Sequence, residues 1–360
     1  MIGGTLGRYF GIRFFGAVVA VFAGVMALII LVDYIEMMRR YSDLTNVSAL
    51  TLAQTSLFRV PQATERILPF CILTGAMSCY LNLSRRLELV IARAAGVSAW
   101  QFIAPALVVA LLLGAFATAV FNPVAALLLE RAKRIEAEFT GNAPQSSTVG
   151  FWVRQRNPDS QSIIYAAESR EQGALLNGIT AFAFDADGHF VERIEARQAT
   201  LEAGAWRLND ARIFKIDLPA VDMPVYSLKT SLTPEQVRER FATPETVPFW
   251  QLPLFIDIAN HAGLTAAGYR LQYQKLLARP FLFASMVLLA AAFSLRLFRF
   301  GGVQKMVLGG MSAGFGLFVI SKITDDLGAA DLMHPTVAAW LPVMVGGLTG
   351  FAALLHLEDG

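Results

Sequence analysis

Phe14–Val32, FFGAVVAVFAGVMALIILV, contains no charged side chain. About 20 apolar residues in a helix cross the hydrocarbon of a bilayer. No water is present there, so each backbone N–H and C=O must pair within the segment or in a closed barrel. Five further runs share this character: Ile67–Leu83, Trp100–Phe121, Pro280–Leu295, Val303–Ser321 and Pro335–Leu357. Six transmembrane helices are expected. The first does not read as a cleaved leader. Its apolar core is too long, and Asp33, Glu36, Arg39 and Arg40 follow it instead of a small-residue cleavage site. Only 16% of the chain is charged, where a soluble domain carries roughly a quarter. A net charge of +2 gives no signal for nucleic acid.

Lys and Arg concentrate in cytoplasmic loops. With the N-terminus inside, the inner segments hold Arg8, Arg13, Arg85, Arg86, Arg93, Arg296, Arg299 and Lys305, with Glu88 as the one acid between spans. The outer short segments hold Asp33, Glu36, Asp43, Glu65, Asp325, Asp326 and Asp331. Both termini are therefore expected inside. Residues 1–121 form spans one to three, residues 122–270 an outer domain, and residues 271–360 spans four to six. The outer domain reads as all-β, a sandwich or jelly roll. GITAFAFDADGHFVERIEA (178–196) alternates around a DADG turn, and ATLEAGAWRLNDARIFKI (199–216) repeats the pattern with turns at Gly204 and Asn209-Asp210. TPEQVRERFA, from Thr233, carries a cap and a proline at the first helical position, so a helical segment closes the domain.

Enzyme chemistry is poorly represented. No GxxxxGK[ST] loop is present, so ATP hydrolysis by that route is excluded. The four histidines are scattered, with no metal spacing, and no GxSxG elbow occurs. No cofactor or metal is expected. Cys71 and Cys79, about 12 Å apart along one helix, are too distant for a disulfide. Intramembrane ionisable groups, the mark of ion-coupled carriers, are lacking from the cores of the six runs.

Three membrane-edge features remain. SRRLELVIARAAGVS, about 84–98, is a short amphipathic helix with Arg85, Arg86 and Glu88 beside Leu87, Leu89 and Ile91. It either lies on headgroups or docks a soluble partner as an apolar ridge. Glu88 favours docking, since anionic headgroups repel acids. Arg39, Arg40, Arg59 and Arg66 gather at the outer edge. They either snorkel or bind a lipid phosphate. Gly16, Ala20 and Gly24 line one ridge of span one, and Gly310 and Gly314 line one of span five. Small residues at this spacing let helices approach, within the chain or between chains.

VPQATERILPFCILTGAMSCYLNLSRRLELVIARAAGVS (60–98), FVISKITDDLG and the following P…AAWLP resemble the LptF/LptG-type permeases of the lipopolysaccharide exporter. LVDYIE and RRLEL look more like the G-type subunit. The resemblance covers nearly the whole chain. It implies six spans with a periplasmic β-jelly-roll between the third and fourth, in the bacterial inner membrane. It implies a paired F-type permease, a cytoplasmic ATPase dimer of the LptB type, a single-span LptC-type partner and an LptA-type periplasmic bridge. Lipopolysaccharide is the implied substrate. The 84–98 helix then resembles the family's ATPase-coupling helix, with Glu88 at its acidic position. The two glycine ridges would form a lateral gate between paired subunits. G-type members carry basic residues near Glu36 and Met37; here Arg39-Arg40 come a turn later. Two alternatives stand beside this one: an ABC-type exporter of lipoproteins or peptides, and a membrane scaffold whose β domain binds a partner.

Overall fold

The structure is a computed structural model that describes residues 4–42, 48–140, 151–157, 160–170, 175–185, 189–202, 204–215, 218–230, 244–261, 266–297 and 303–358. The helical segment expected from Thr233 lies outside the described residues. Backbone contacts divide the chain into two compact units. The first comprises residues 1–130, 247–257 and 265–360; the second comprises 131–246 and 258–264.

Unit 1 is a helical bundle. Its helices are α1 (Thr5–Arg40), α2 (Ala49–Glu65), α3 (Leu68–Arg85), α4 (Glu88–Ala94) and α5 (Ala99–Phe116). A π turn (Ala117–Phe121) leads from α5 into α6 (Asn122–Thr140). After the β strands come α7 (Leu252–His261), α8 (Ala267–Leu297), α9 (Val303–Ala329) and α10 (Pro335–Glu358). Among the described residues, five stretches are long and apolar enough to cross a membrane: α1, α5 with α6, α8, α9 and α10. The expected second span differs from a plain helix. It is α3 preceded by α2, bent by 70° at the break. Residues 49–65 fall between the first two expected spans, in what the charge pattern assigns to an outer segment. Two hydroxyls of α2 bond back to the helix itself: Thr55 Oγ1 donates to Thr51 O and Thr64 Oγ1 to Val60 O.

The core joins α1, α3, α5 and α8, with Phe14, Ile72, Leu73, Phe102, Ile103, Phe283 and Val287 fully buried. Hydrophobicity does not hold helices together in lipid; close packing does. Gly114 shows how close. A Cβ there would lie 2.3 Å from Pro280 Cα, so the backbones of α5 and α8 touch.

Unit 2 contains one antiparallel sheet of six strands in chain order: β1 (Phe151–Asn157), β2 (Ser160–Arg170), β3 (Leu175–Asp185), β4 (Phe190–Glu202), β5 (Ala205–Lys215) and β6 (Val221–Lys229). The crossovers that define a jelly roll are not among the described strands, which form a meander. Gly204, at φ +83°, closes the β4–β5 hairpin as expected. The turn expected at Asn209-Asp210 is not there. β5 runs straight through it, because Trp206, Leu208, Ala211 and Ile213 stay buried and both neighbours keep pairing.

Asp210 does something else. It takes φ +54°, and Gly178 of β3 takes φ +61°. Ala167, Gly178, Arg197 and Asp210 fall in one row across β2–β5, and none of the four joins the ladder. Burial parity inverts along that row. β4 buries Glu192, Ile194 and Ala196 before it and Ala199 and Leu201 after it; β5 buries Trp206 and Leu208, then Ala211 and Ile213. Regular pleating would send every second half to solvent. The row is a crease at which the alternation skips one residue, so both halves feed one apolar cluster. Beside it, Glu192 is buried and accepts from Tyr226 Oη at 2.5 Å. Burial, and then this hydrogen bond, pushes the phenol up to about 12.

The crease makes Gly178 a sensitive position. A side chain there must adopt a left-handed backbone, and its Cβ would meet Ala167 Cβ at 3.0 Å. Gly178→Val is expected to destabilise the sheet by more than the ~1–2 kcal/mol left-handed cost alone, whereas Asp210→Gly, on an open and exposed site, is expected to be neutral or stabilising. Limited proteolysis of the two variants checks this: comparable cleavage of both would show that the crease needs no special backbone.

Candidate coupling and lipid sites

α4 is framed by strict local signals. Leu87 enters it with φ +59°. Gly96, at φ +81°, ends it, and Val97 N donates to Ala92 O as in a Schellman close. Ser98 then caps α5 in a capping box with Gln101. The helix therefore has a fixed rotation. Leu89 faces the bundle and is 4% exposed, within the core that includes Phe102. The expectation that Leu89 contacts a partner is corrected: it anchors the helix. The exposed apolar pair is Leu87 at 56% and Ile91 at 66%, with the exposed side chains of Arg85 and Arg86 beside it. Glu88 is half-buried, and its Oε2 accepts from Tyr9 Oη at 3.0 Å. Tyr9 in turn accepts from Arg13 Nε at 3.2 Å. α4 is thus tied to α1, a link whose only sequence signal was a lone tyrosine near the chain start.

The four rim arginines do not share one environment. Arg40 is paired with Glu36 at 2.7 Å, one turn back on α1. Arg59 of α2 leans toward Asp33 of α1 at 3.9 Å. Arg66 caps α2 at the break. Arg39 is exposed and makes no side-chain ion pair among the described residues. The acidic Glu36 is therefore taken up by Arg40.

The ridges also diverge. A Cβ on Gly16 or Gly24 would meet nothing within 4 Å, and Ala20 between them is exposed. That face of α1 is open. Gly310 and Gly314 are buried. A Cβ on Gly310 would lie 2.5 Å from Met77 Cε, and one on Gly314 would lie 2.3 Å from Leu73 Cδ2. The expectation that they face another subunit is corrected: they receive the large side chains of α3 in the same chain.

A buried polar cluster escaped the sequence reading. Glu65, at the end of α2, is 4% exposed, and Arg279 of α8 is 14% exposed; Oε1 and Nη1 lie 2.5 Å apart. Asn122 Nδ2 donates to the same oxygen at 2.9 Å, and Asn122 Oδ1 accepts from Phe249 N at 3.0 Å. The π turn lies alongside. Thr118 Oγ1 donates to Leu276 O at 2.8 Å. Pro123 offers no N–H to the preceding turn, and the Trp250 indole donates to Ala119 O at 3.0 Å. The break between α2 and α3, the π turn and the start of α8 are thus fastened at one point. Arg279-Pro280 and Asn122-Pro123 were the available signals, but nothing in the sequence shows which distant partner each takes.

These features define a mostly helical membrane protein with several apolar helices and a separate antiparallel β-sheet. The sequence matches the family Lipopolysaccharide export system permease LptF/LptG over residues 8–356, and the chain belongs to that family. It is similar to the Lipopolysaccharide export system permease protein LptG of Escherichia coli strain K12, at 23% identity over 346 residues and 94% of each chain. The same protein of Escherichia coli O6:H1 strain CFT073 matches equally, at 23% over 94% of each chain.

The cluster at Glu65 makes a sharp prediction. Arg279→Leu leaves a carboxylate unpaired in the bundle and is expected to cost on the order of 3–5 kcal/mol. Removing both charges together, by Glu65→Leu with Arg279→Leu, is expected to recover most of that loss. Thermal melts in detergent read both; equal losses in the single and double variants would show the pair to be uncoupled.

Proposed function

We propose that the chain is the G-type permease subunit of an ABC exporter that extracts lipopolysaccharide from the bacterial inner membrane. A separate ATPase dimer supplies the energy, and this chain hydrolyses no ATP. Family membership gives the substrate class. The observation that carries the coupling is α4: an exposed Leu87–Ile91 ridge, flanked by Arg85, Arg86 and Glu88, on a helix rotationally locked by Leu89, Gly96 and Ser98. An ATPase groove that grips this ridge pulls on a rigid element. With both termini cytoplasmic, α4 faces that ATPase and the β domain faces the periplasm, where it hands lipid to the LptA/LptC-type bridge. A paired F-type permease packs on the open α1 ridge at Ala20 and Gly24. The rim around Arg39 meets lipid phosphate.

The relay at Tyr9 refines the mechanism. Glu88 cannot give its Oε2 fully to a partner and to Tyr9 at once. Engagement of Glu88 by a basic group on the ATPase weakens its hold on Tyr9, and so loosens α1 from α4. Truncating one side of a desolvated charged contact costs about 2–5 kcal/mol.

Three outcomes are expected. Glu88→Lys and Ile91→Asp each abolish copurification of the ATPase while the chain stays in the membrane; full ATPase recovery with both would remove α4 from the coupling role. Arg39→Glu lowers photo-crosslinking to lipopolysaccharide more than Arg40→Glu does, because Glu36 already neutralises Arg40; equal, unchanged crosslinking would favour snorkelling. Ala20→Leu weakens recovery of the F-type partner, measured by paired pull-down, and a partner yield equal to the unmodified chain's would move the subunit contact elsewhere.

A further inference from the structure

Beside the Tyr9–Glu88 link lies a cavity of about 290 Å³ between α1 and α3. Its rim carries Arg13 and Arg86 with the Asn82 amide; Ile12, Gly16 and Leu83 supply an apolar wall. The two guanidiniums come from different helices, and no carboxylate lines the cavity. Neither arginine forms an ion pair among the described residues. Tyr9 fixes Arg13 by accepting from its Nε, with the guanidinium carbon 5.2 Å from the ring centroid, and the two terminal nitrogens remain to face a ligand. Glu88, the nearest acid of α4, is turned toward Tyr9.

Two cations converging on one concavity repel each other until an anion sits between them. Arginine favours oxygens in a planar fork, which phosphate supplies. Asn82 adds a neutral donor for a third oxygen. The apolar wall decides the source of that phosphate. A free ion gains nothing from Ile12 and Gly16. A phospholipid does, because its glycerol and first methylenes would lie against them. Gly16 also belongs to the open face of α1, where an added Cβ would meet nothing within 4 Å, so an acyl chain can leave the cavity along it.

We propose that this cavity binds the phosphate headgroup of an anionic phospholipid, clamped between Arg13 of α1 and Arg86 at the entrance to α4. The lipid sits at the foot of the α1 ridge, leaving Ala20 and Gly24 uncovered. It bridges α1 and the C-terminal end of α3, next to the Tyr9–Glu88 bond, and so acts as a second, exchangeable tie beside the one that joins α1 to α4.

The test is native mass spectrometry of the full-length chain taken from mixed micelles of phosphatidylglycerol and phosphatidylcholine. The unmodified chain is expected to retain phosphatidylglycerol. Arg13→Gln with Arg86→Gln is expected to lose one retained lipid per chain, while Arg85→Gln, one residue away and outside the cavity, loses none. Ile12→Trp, which crowds the apolar wall and keeps both arginines, is expected to lose the same lipid; this separates the site from bulk charge. Millimolar inorganic phosphate should not displace it. Unchanged retention in the double variant overturns the proposal, as does equal loss with Arg85→Gln or equal retention of phosphatidylcholine. Displacement by inorganic phosphate would make the cavity a free-anion site and overturn the lipid assignment.

Discussion

The carboxylate of Glu65 organises the bundle. It is almost wholly buried, so its charge cannot be left to solvent, and a buried ion persists only when paired and hydrogen-bonded. Arg279 supplies the charge and Asn122 the hydrogen bond. Each comes from a different part of the chain, and each sits where a helix is irregular: the bent α2–α3 break, the π turn before α6, and the proline of α8. Irregular backbone is tolerated at membrane depth only where protein satisfies the freed groups. Here Thr118 and Trp250 do so, at the carbonyls of Leu276 and Ala119. Remove the carboxylate and three separate irregularities lose their common reason to lie together.

At the other end of α3 the fastening is of a different kind. Tyr9 to Glu88 is a single partly exposed hydrogen bond, and the cavity beside it is polar and open. The polar fastening at one end of α3 is a desolvated charge; at the other it is a replaceable hydrogen bond beside the packed Tyr80, Leu83 and Leu89.

Much of this was legible in the residues. The apolar runs of α1, α5, α8, α9 and α10, a short helix within the expected 84–98 (Glu88–Ala94) and the β hairpin at Gly204 follow from period and punctuation. What was hidden shares a physical origin. α2 was missed because its buried face mixes Leu52, Val60 and Pro61 with Thr55, Ser56, Thr64 and Glu65, which dilutes the hydropathy signal. Leu89 and the pair Gly310 and Gly314 were assigned to the wrong faces because composition gives a helix its stripe but not its rotation. Asp210 was read as a turn because a turn residue in a strand looks the same whether the chain reverses or creases. The Glu65–Arg279 pair spans most of the chain, and a one-dimensional reading offers no rule for matching such partners.

The meander has a consequence for how the protein is made. Each described β strand pairs only with its neighbours in the chain, so these ladders form between segments synthesised in succession. Such local pairing avoids the loop-closure penalty that slows sheets built from distant strands. Domains of a growing chain fold as units, earlier ones first. The sheet can therefore finish assembling before α8 leaves the ribosome. Its completion does not wait for Arg279, whereas the bundle must: half of it stays without its buried countercharge until translation has passed the entire β insert.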